Sequence, residues 1–394
     1  MDFNKLALEA HEKKKGKIEI IPKMKVKDRK DLSIAYTPGV GAVSRAIAAD
    51  KEKIWDYTNK SNTVAIVTDG TAVLGLGDVG PEAGLPVMEG KAMLFKHMAG
   101  INAFPICLDT KDPAEIVKTI KYIAPVFGGI NIEDIAAPKC FEIEAQLQDL
   151  GIPVMHDDQH ATAIVIQAAL QNAAKVVGKR LDELKVVING AGAAGISTAR
   201  MLLCIQTESR VCTSVADIIM CDSKGIISRN RTDLNPFKAQ IAASTNKTNR
   251  TGALTDALRG ADVFIGLSVA GALKPEMIEA MNKNPIIFAM ANPVPEIMPD
   301  EAKKAGAVIV GTGRSDFPNQ INNVLAFPGV FRGALDAKAT RITNEMKMAA
   351  AHALAQSVKP KADKILPSPL EKKYVRDMAL AVAKEAKRAG VIRH

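Results

Sequence analysis

LKVVINGAGAAGISTARMLL, residues 184–203, sets an apolar run, three glycines and a helical pattern in direct succession. Lys185 to Ile188 reads as a buried strand. Gly190, Gly192 and Gly195 complete a GxGxxG turn, and Ala194 to Leu203 carries small and apolar residues at helical spacing. In a dinucleotide-binding turn the first glycine permits the tight bend and the second lets a pyrophosphate approach the backbone. The third lets helix pack on strand, with the helix N-terminus facing the phosphates. The bare pattern also fits an ordinary glycine-rich loop, so its context matters. The next apolar run, Asp217 to Cys221, ends in Asp222, a carboxylate placed to bind the hydroxyls of an adenine ribose. It lies further beyond Gly195 than the usual ~20 residues, so the loop Thr207 to Thr213 is expected to lengthen the connection. Gly190, Ala191, Gly192, Ala193, Ala194, Gly195 and Asp222 are the candidate cofactor-binding residues.

The segments after this turn continue the theme. Val263–Ile265, Ile286–Ala289 and Val308–Val310 complete an expected five-strand dinucleotide fold. Upstream, Thr63–Thr68, Ala103–Leu108, Gly129–Ile132 and Ile152–Met155 alternate with helical patterns, which implies a second parallel sheet covered by helices. The fold class is therefore α/β with two domains. An N-terminal α/β domain with a mainly parallel sheet is expected over 1–160, and a C-terminal Rossmann-type domain with a helical tail over 161–394. The helix Ala161 to Val177 serves as linker. An alanine-rich helix is expected from beyond Gly333 to about Ser357, and a final amphipathic helix over Leu370 to Ala389.

Ligands of open parallel sheets bind beyond the carboxyl ends of the strands, and acids collect there. Asp69 follows the first upstream strand, Asp109 the second, Glu133 and Asp134 the third, and Asp157 and Asp158 the fourth. Converging carboxylates repel one another unless a cation neutralises them, and an all-oxygen site suits Mg²⁺ or Mn²⁺. A single such acid would be an ordinary turn or cap residue. HDDQH, residues 156–160, matches the spacing of a zinc HExxH helix, but an Asp replaces the Glu and the preceding run reads as strand. Lys91 sits in a helical run among Met88, Met93 and Leu94. There it is either a solvated charge or a partly buried amine whose pKa falls toward that of a base. Tyr36 ends the stretch DLSIAY before Pro38 and Gly39, read as an extended piece, and is either a packing aromatic or a positioned hydroxyl. Asn292, Asn322 and Asn323 could be turn residues or amides in a cofactor cleft.

Composition sets the outer limits. The 394 residues are 47% hydrophobic, 24% charged and 4% aromatic, with net charge +9. That favours a soluble protein acting on small molecules over one that stacks nucleic-acid bases, and no run approaches the ~18 apolar residues of a membrane span. The excess of positive charge, much of it in Lys13 to Lys30 and after Lys359, reads as solvated termini. Five cysteines without a CxxC pair suggest no disulfide framework and a reducing, cytoplasmic setting.

With these residues in view, the sequence resembles the malic enzymes of the short-subunit, prokaryotic type. AYTPGVG, VTDG, LGLGDVG, EGKAMLF, NIED, HDD, GAGAAG, ANPVPE and NNVLAFPG occur in the family's order over nearly the whole chain. The resemblance implies oxidative decarboxylation of L-malate to pyruvate and CO₂ with NAD or NADP, in a homodimer or homotetramer. It implies Tyr36 and Lys91 as catalytic groups with Asp157 supporting the lysine. Glu133, Asp134 and Asp158 become metal-bound carboxylates, Asn292 and Asn323 bind substrate, and Asn322 lies near the nicotinamide. Asp222 favours NAD by repelling a 2′-phosphate, with Lys224, Arg229 and Arg231 close enough to offset that repulsion. Large-subunit members carry an arginine two positions after the glycine of TDG, whereas here Gly70 is followed by Thr71 and Ala72. A malolactic relative releasing lactate and a non-catalytic dinucleotide sensor remain alternatives.

Overall fold

The structure, a computed structural model, describes residues 3–73 and 75–393. Leu74, the first residue of LGLGDVG, lies outside them. Two sheets organise the chain. The first comprises β1 (Thr63–Thr68), β2 (Asn102–Cys107), β3 (Gly129–Ile132) and β4 (Val154–His156), all parallel, in the order β2-β1-β3-β4. The second comprises β5 (Lys185–Asn189), β6 (Asp217–Asp222), β7 (Gly225–Ile226), β8 (Val263–Gly266), β9 (Ile286–Ala289) and β10 (Ile309–Thr312). Its order is β10-β9-β8-β5-β6-β7.

The period-2 geometry of a strand explains how each sheet is buried on both faces. In β1, Val64 and Ile66 join the core around the helix Asp157–Val177, while Ala65 and Val67 join a second core with Ile116, Ile120, Ile143 and Leu147. In β5, Val186 and Ile188 take one side and Val187 the other. The core containing Val64 also contains Val186, so the helix Asp157–Val177 welds the two sheets into one body. Apolar residues occupy nearly its whole circumference, as a helix surrounded by protein requires. Among the described residues no helix is long and apolar enough to cross a membrane.

Strand order fixes where ligands can sit. In the first sheet the chain leaves β1 for β2 and then returns to the other side for β3. In the second it leaves β5 for β6 and returns for β8. Each reversal opens a crevice at the carboxyl ends of the central strands. The first crevice holds Asp69, Glu133 and Asp134, and the second holds the Gly190–Gly195 turn.

Several expectations are corrected. The dinucleotide sheet has a sixth strand, the short antiparallel β7, formed where Gly225 (φ +101) turns the chain back beside β6. The linker helix begins at Asp157, not Ala161, because the His156 ring accepts from Gln159 N (3.4 Å) and caps it. DLSIA is helical, not extended: Arg29–Ala35 forms a helix capped by Asp28, whose carboxylate accepts from Asp31 N. The alanine-rich stretch divides into Phe327–Asp336 and Asn344–Gln356, separated where Lys338 takes positive φ and Thr343 caps the second piece. Cys204 and Cys212 form a disulfide. The loop folds back through Ile205 N to Arg200 O and Val215 N to Leu202 O, a local closure that cysteine count and spacing do not show. Cys107, Cys140 and Cys221 remain thiols.

Candidate active site

Lys91 projects from the helix Gly80–Ala99 into the first crevice and is almost fully buried. Its ammonium donates to Asp157 and stands 2.9 Å from Glu133 Oε1, with the Phe327 ring 4.4 Å beneath it. Burial alone would depress this amine. The charges of Asp157 and Glu133 outweigh that and hold it above the usual lysine value. Neither alternative read from the sequence holds: Lys91 is buried and not solvated, yet its pKa is raised and not lowered. Lys91 is an ammonium while its two carboxylate partners are unshared.

Glu133 and Asp134 extend from the end of β3, and Asp158 from the first turn of the helix Asp157–Val177. One carboxylate oxygen from each lies within 4.8 Å of the others. Asp134 takes positive φ (51°), which turns its backbone so that its N–H donates to Asp158 Oδ2 at 3.0 Å. Glu133 Oε2 accepts from Asn131 Nδ2 at 2.8 Å. Asp134 Oδ2 and Asp157 Oδ1 are buried without a hydrogen-bond partner. Burial, then the neighbouring carboxylates, push Glu133 well up and Asp134 to about 8. Three crowded oxygens, an unsatisfied acceptor and mutual repulsion form a donor set that fits a hard divalent cation.

The histidines of HDDQH do not join this group. His156 caps the helix, and His160 lies between Glu144 (2.9 Å) and Lys347 (3.1 Å). Asp69 follows β1 as expected, but its carboxylate accepts from Thr71 and Lys139, while Asp109 is exposed.

The second crevice meets the first. Asn323 Nδ2 donates to Asp157 Oδ2 at 3.3 Å, tying the NNVLAFPG segment to the acids. A side chain on Gly75 would lie 3.5 Å from Asn292 O and Pro293 Cδ, so the loop after β1 reaches ANPVPE. Asn292 Nδ2 donates to Met290 O, and Asn322 Oδ1 accepts from Val324 N, the turn role available to asparagine. Tyr36 is not brought to Lys91 by hydrogen bonding. It ends the helix Arg29–Ala35, 68% exposed, and its hydroxyl has no partner among the described residues.

At the glycine turn, a Cβ on Gly190 (φ +124) would meet Leu267 O at 2.3 Å, and one on Gly195 would meet Gly190 O at 1.8 Å. Gly192 has nothing within 4 Å of its missing Cβ and caps the helix Ala193–Leu202. Two glycines thus serve backbone packing and the third leaves open space before a helix N-terminus. Ala191 completes the bend, and Ala193 and Ala194 open the helix. Asp222 ends β6 as expected. Its carboxylate accepts from Arg231 (2.7 and 3.2 Å) and Lys238 (2.7 Å), which overcome burial and hold it down at about 2. Lys224 instead pairs with Asp233, and Arg229 donates to Lys247 O.

Two family models cover this architecture: the malic enzyme N-terminal domain over residues 15–148 and the malic enzyme NAD-binding domain over 159–390. The chain belongs to the malic enzyme family. Its relatives include a bifunctional malic/malolactic enzyme of Bacillus subtilis, 54% identical across 100% of this chain and 95% of that protein. An NAD-dependent malic enzyme of Geobacillus stearothermophilus is 54% identical over 96% of this chain and 78% of its own length. The crystal structure of an NAD-dependent malic enzyme from Thermotoga maritima superposes with TM-score 0.91 at 48% identity, covering 96% and 98% of the two chains.

Sequence reasoning missed Phe327, Asn131 and Lys238. Phe327 was visible only as part of the FPG motif. Asn131 is the interior residue of an apolar strand, the one polar letter in GINI, and that was its available signal. Lys238 had none, because it reaches Asp222 from a helix sixteen positions downstream.

Proposed function

We infer that this malic enzyme catalyses the oxidative decarboxylation of L-malate to pyruvate and CO₂ with reduction of a nicotinamide dinucleotide. The observation that carries the reading is the contact between the two crevices. A buried lysine and three crowded carboxylates adjoin, through Asn323 and Asp157, the mouth of a dinucleotide-binding turn.

Glu133, Asp134 and Asp158 would hold Mg²⁺ or Mn²⁺. Such an ion, when bound, supplies positive charge that acidifies a substrate hydroxyl and loosens the hold of these acids on the Lys91 proton. The Gly190–Gly195 turn and Asp222 would hold NAD or NADP, which would supply a hydride acceptor for malate C2. Lys91 takes the hydroxyl proton, lends it to the enol oxygen after CO₂ leaves and recovers it on ketonisation, so that it makes good the proton Tyr36 gives to C3, with Asp157 fixing the amine. Asn292 and Asn323 would bind the substrate carboxylates, Asn322 would serve the nicotinamide end of the dinucleotide, and Tyr36 would deliver a proton to C3. The chain divides for this purpose at about residue 160, malate and metal before it and dinucleotide after.

Tyr36 stands on an open apolar surface. The helices Phe3–Lys14, Arg29–Ala35 and Val40–Ala49 hold no buried residue, and Ile20, Ile21, Met24, Ile34 and Val43 are all exposed. Such a surface supports a homo-oligomer in which it is covered. Tyr36→Phe is expected to slow conversion of added oxaloacetate to pyruvate by about 10²-fold or more, followed as loss of oxaloacetate absorbance; an unimpaired rate would remove the hydroxyl from the reaction.

Asp222 opposes a 2′-phosphate, but Arg231 and Lys238 already neutralise it, so NAD is preferred only modestly over NADP. The deciding assay follows reduced-nicotinamide absorbance with L-malate and Mn²⁺, with NAD and NADP separately, quantifying pyruvate and lactate. Chelator-sensitive reduction matched by pyruvate, with higher kcat/KM for NAD, is expected. No reduction with lactate formed would assign the malolactic reaction instead.

A further inference from the structure

We infer that a cavity on the far side of the helix Asp157–Val177 from the acids is a second binding site, for a small organic anion. The cavity has a volume of about 330 Å³ and lies between the helices Lys139–Ala145, Asp157–Val177, Ala193–Leu202 and Asn344–Gln356. That is within the range of small-molecule sites. It is distinct from both crevices. Its wall on the helix Ala193–Leu202 begins at Ile196, beyond the glycine turn, and none of Lys91, Glu133, Asp134, Asp157, Asp158, Asp222 or Asn292 lines it.

Charge identifies the ligand. Arg200 and Lys347 both line the cavity, and among the described residues neither has a carboxylate within 4.0 Å. Arg200 reaches only amide oxygens, Gln206 at 3.0 Å and Gln240 at 3.5 Å. Lys347 Nζ stands 3.1 Å from the His160 ring, and burial lowers its pKa. Glu144, the acid on the wall, is already occupied. Its Oε1 accepts from His156 N (2.9 Å), and its Oε2 meets Gln159 Nε2 (3.2 Å) and His160 Nε2 (2.9 Å). Two cations with no carboxylate in direct contact outnumber the one wall acid, Glu144, whose charge acts on Lys347 from a distance; in a concave, partly desolvated wall that excess attracts an anion more strongly than on an open surface. The wall also carries the amides and hydroxyls of Gln148, Ser197, Gln206, Thr207 and Asn344 together with an apolar patch. Phe141 and Phe237 pack with ring centroids 4.6 Å apart, beside Met201 and Met348. The ligand is therefore a carboxylate or phosphate ester bearing an apolar or aromatic body, with its charged end between Arg200 and Lys347.

Occupancy would touch the catalytic turn indirectly. Glu144 holds the backbone of His156 and the side chains of Gln159 and His160, the residues flanking Asp157 and Asp158.

The test is calorimetric titration of the full chain with phenyl phosphate, benzoate and inorganic phosphate, repeated with Lys91→Ala, Arg200→Gln and Lys347→Gln. The inference requires saturable binding of phenyl phosphate or benzoate at or below about 10 mM. It also requires that Lys91→Ala leaves this affinity intact and that Arg200→Gln or Lys347→Gln weakens it at least tenfold. Amide hydrogen exchange on the unaltered chain gives an independent readout. The bound probe should slow exchange in 139–148 and 344–348 without slowing it in 190–195. The tighter of the two organic probes assigns the charged group. Absence of saturation, loss of binding in Lys91→Ala alone, protection confined to the glycine turn, or inorganic phosphate binding as tightly as phenyl phosphate would each overturn it.

Discussion

Lys91→Ala loses about 10²–10⁴-fold in kcat for malate oxidation, the range that a positioned general base contributes, while the dinucleotide Kd stays within about twofold. The rate loss follows from proton transfer at one buried amine, and the unchanged affinity from the location of Lys91 in the first crevice and not the second. The substitution has a structural cost too. Asp157 is fully buried, and Lys91 is its charged partner. Removing one member of a buried pair costs about 3–5 kcal/mol where the remaining charge is not compensated. Metal-free Lys91→Ala should therefore melt well below the parent protein, with Mn²⁺ recovering part of the loss by binding the folded acids. Steady-state kinetics, dinucleotide titration and melting with and without Mn²⁺ separate the contributions. Turnover within tenfold of the parent would remove Lys91 as the base.

The second large effect is Gly195→Ala. One methyl group would be placed 1.8 Å from the carbonyl oxygen of Gly190, well inside any real contact, and the obstacle is backbone on both sides. Relief requires the helix Ala193–Leu202 to move off β5, which opens the turn meant to hold the pyrophosphate. Dinucleotide affinity should fall by more than about 1.4 kcal/mol, tenfold in Kd. Affinity for Mn²⁺, measured by titration, should change little, because the three acids stand on β3 and the linker helix. Gly192→Ala is the informative comparison. It meets nothing within 4 Å in the empty turn, so the chain should fold normally and lose affinity only where the ligand itself approaches. Equal dinucleotide affinity in Gly195→Ala and the parent would contradict the role of this turn.

The two substitutions test different kinds of information. The glycine turn is local: every contact that demands glycine comes from residues within the turn or from Leu267, just past the end of the neighbouring strand β8. Local patterns of that kind were legible without coordinates, as were the apolar runs of β1, β3 and β9 residue by residue. The candidate acids were legible for a topological reason. They follow strands, and a parallel sheet sends every strand end to the same edge.

What was illegible depended on distant partners or on competing local interactions. Of the two readings of Lys91, a solvated charge or a buried amine with a depressed pKa, the second treated burial as the deciding influence, yet Asp157 lies sixty-six positions away and reverses the sign. Asp222 was read through its sequence neighbours Lys224, Arg229 and Arg231. Of their charged groups only that of Arg231 reaches it, Lys224 donating just its backbone N–H, and Lys238 arrives from a separate helix. The break near Lys338 and the helix at Arg29–Ala35 were misread because a backbone turn or one capping carboxylate outweighs composition.

By itself the sequence determined the α/β class, the dinucleotide turn, the candidate acids and, through its motifs, the malic enzyme family, because each rests on residues close together or in a fixed order along the chain. The convergence of Glu133, Asp134 and Asp158 was implied by the resemblance and takes its geometry from the fold; the tertiary structure alone decided that Lys91 is held charged, that Tyr36 stands exposed, and that Arg200 and Lys347 share a cavity. Those outcomes depend on Coulomb interaction and desolvation, which act across space between segments that strand order, and not sequence distance, makes neighbours.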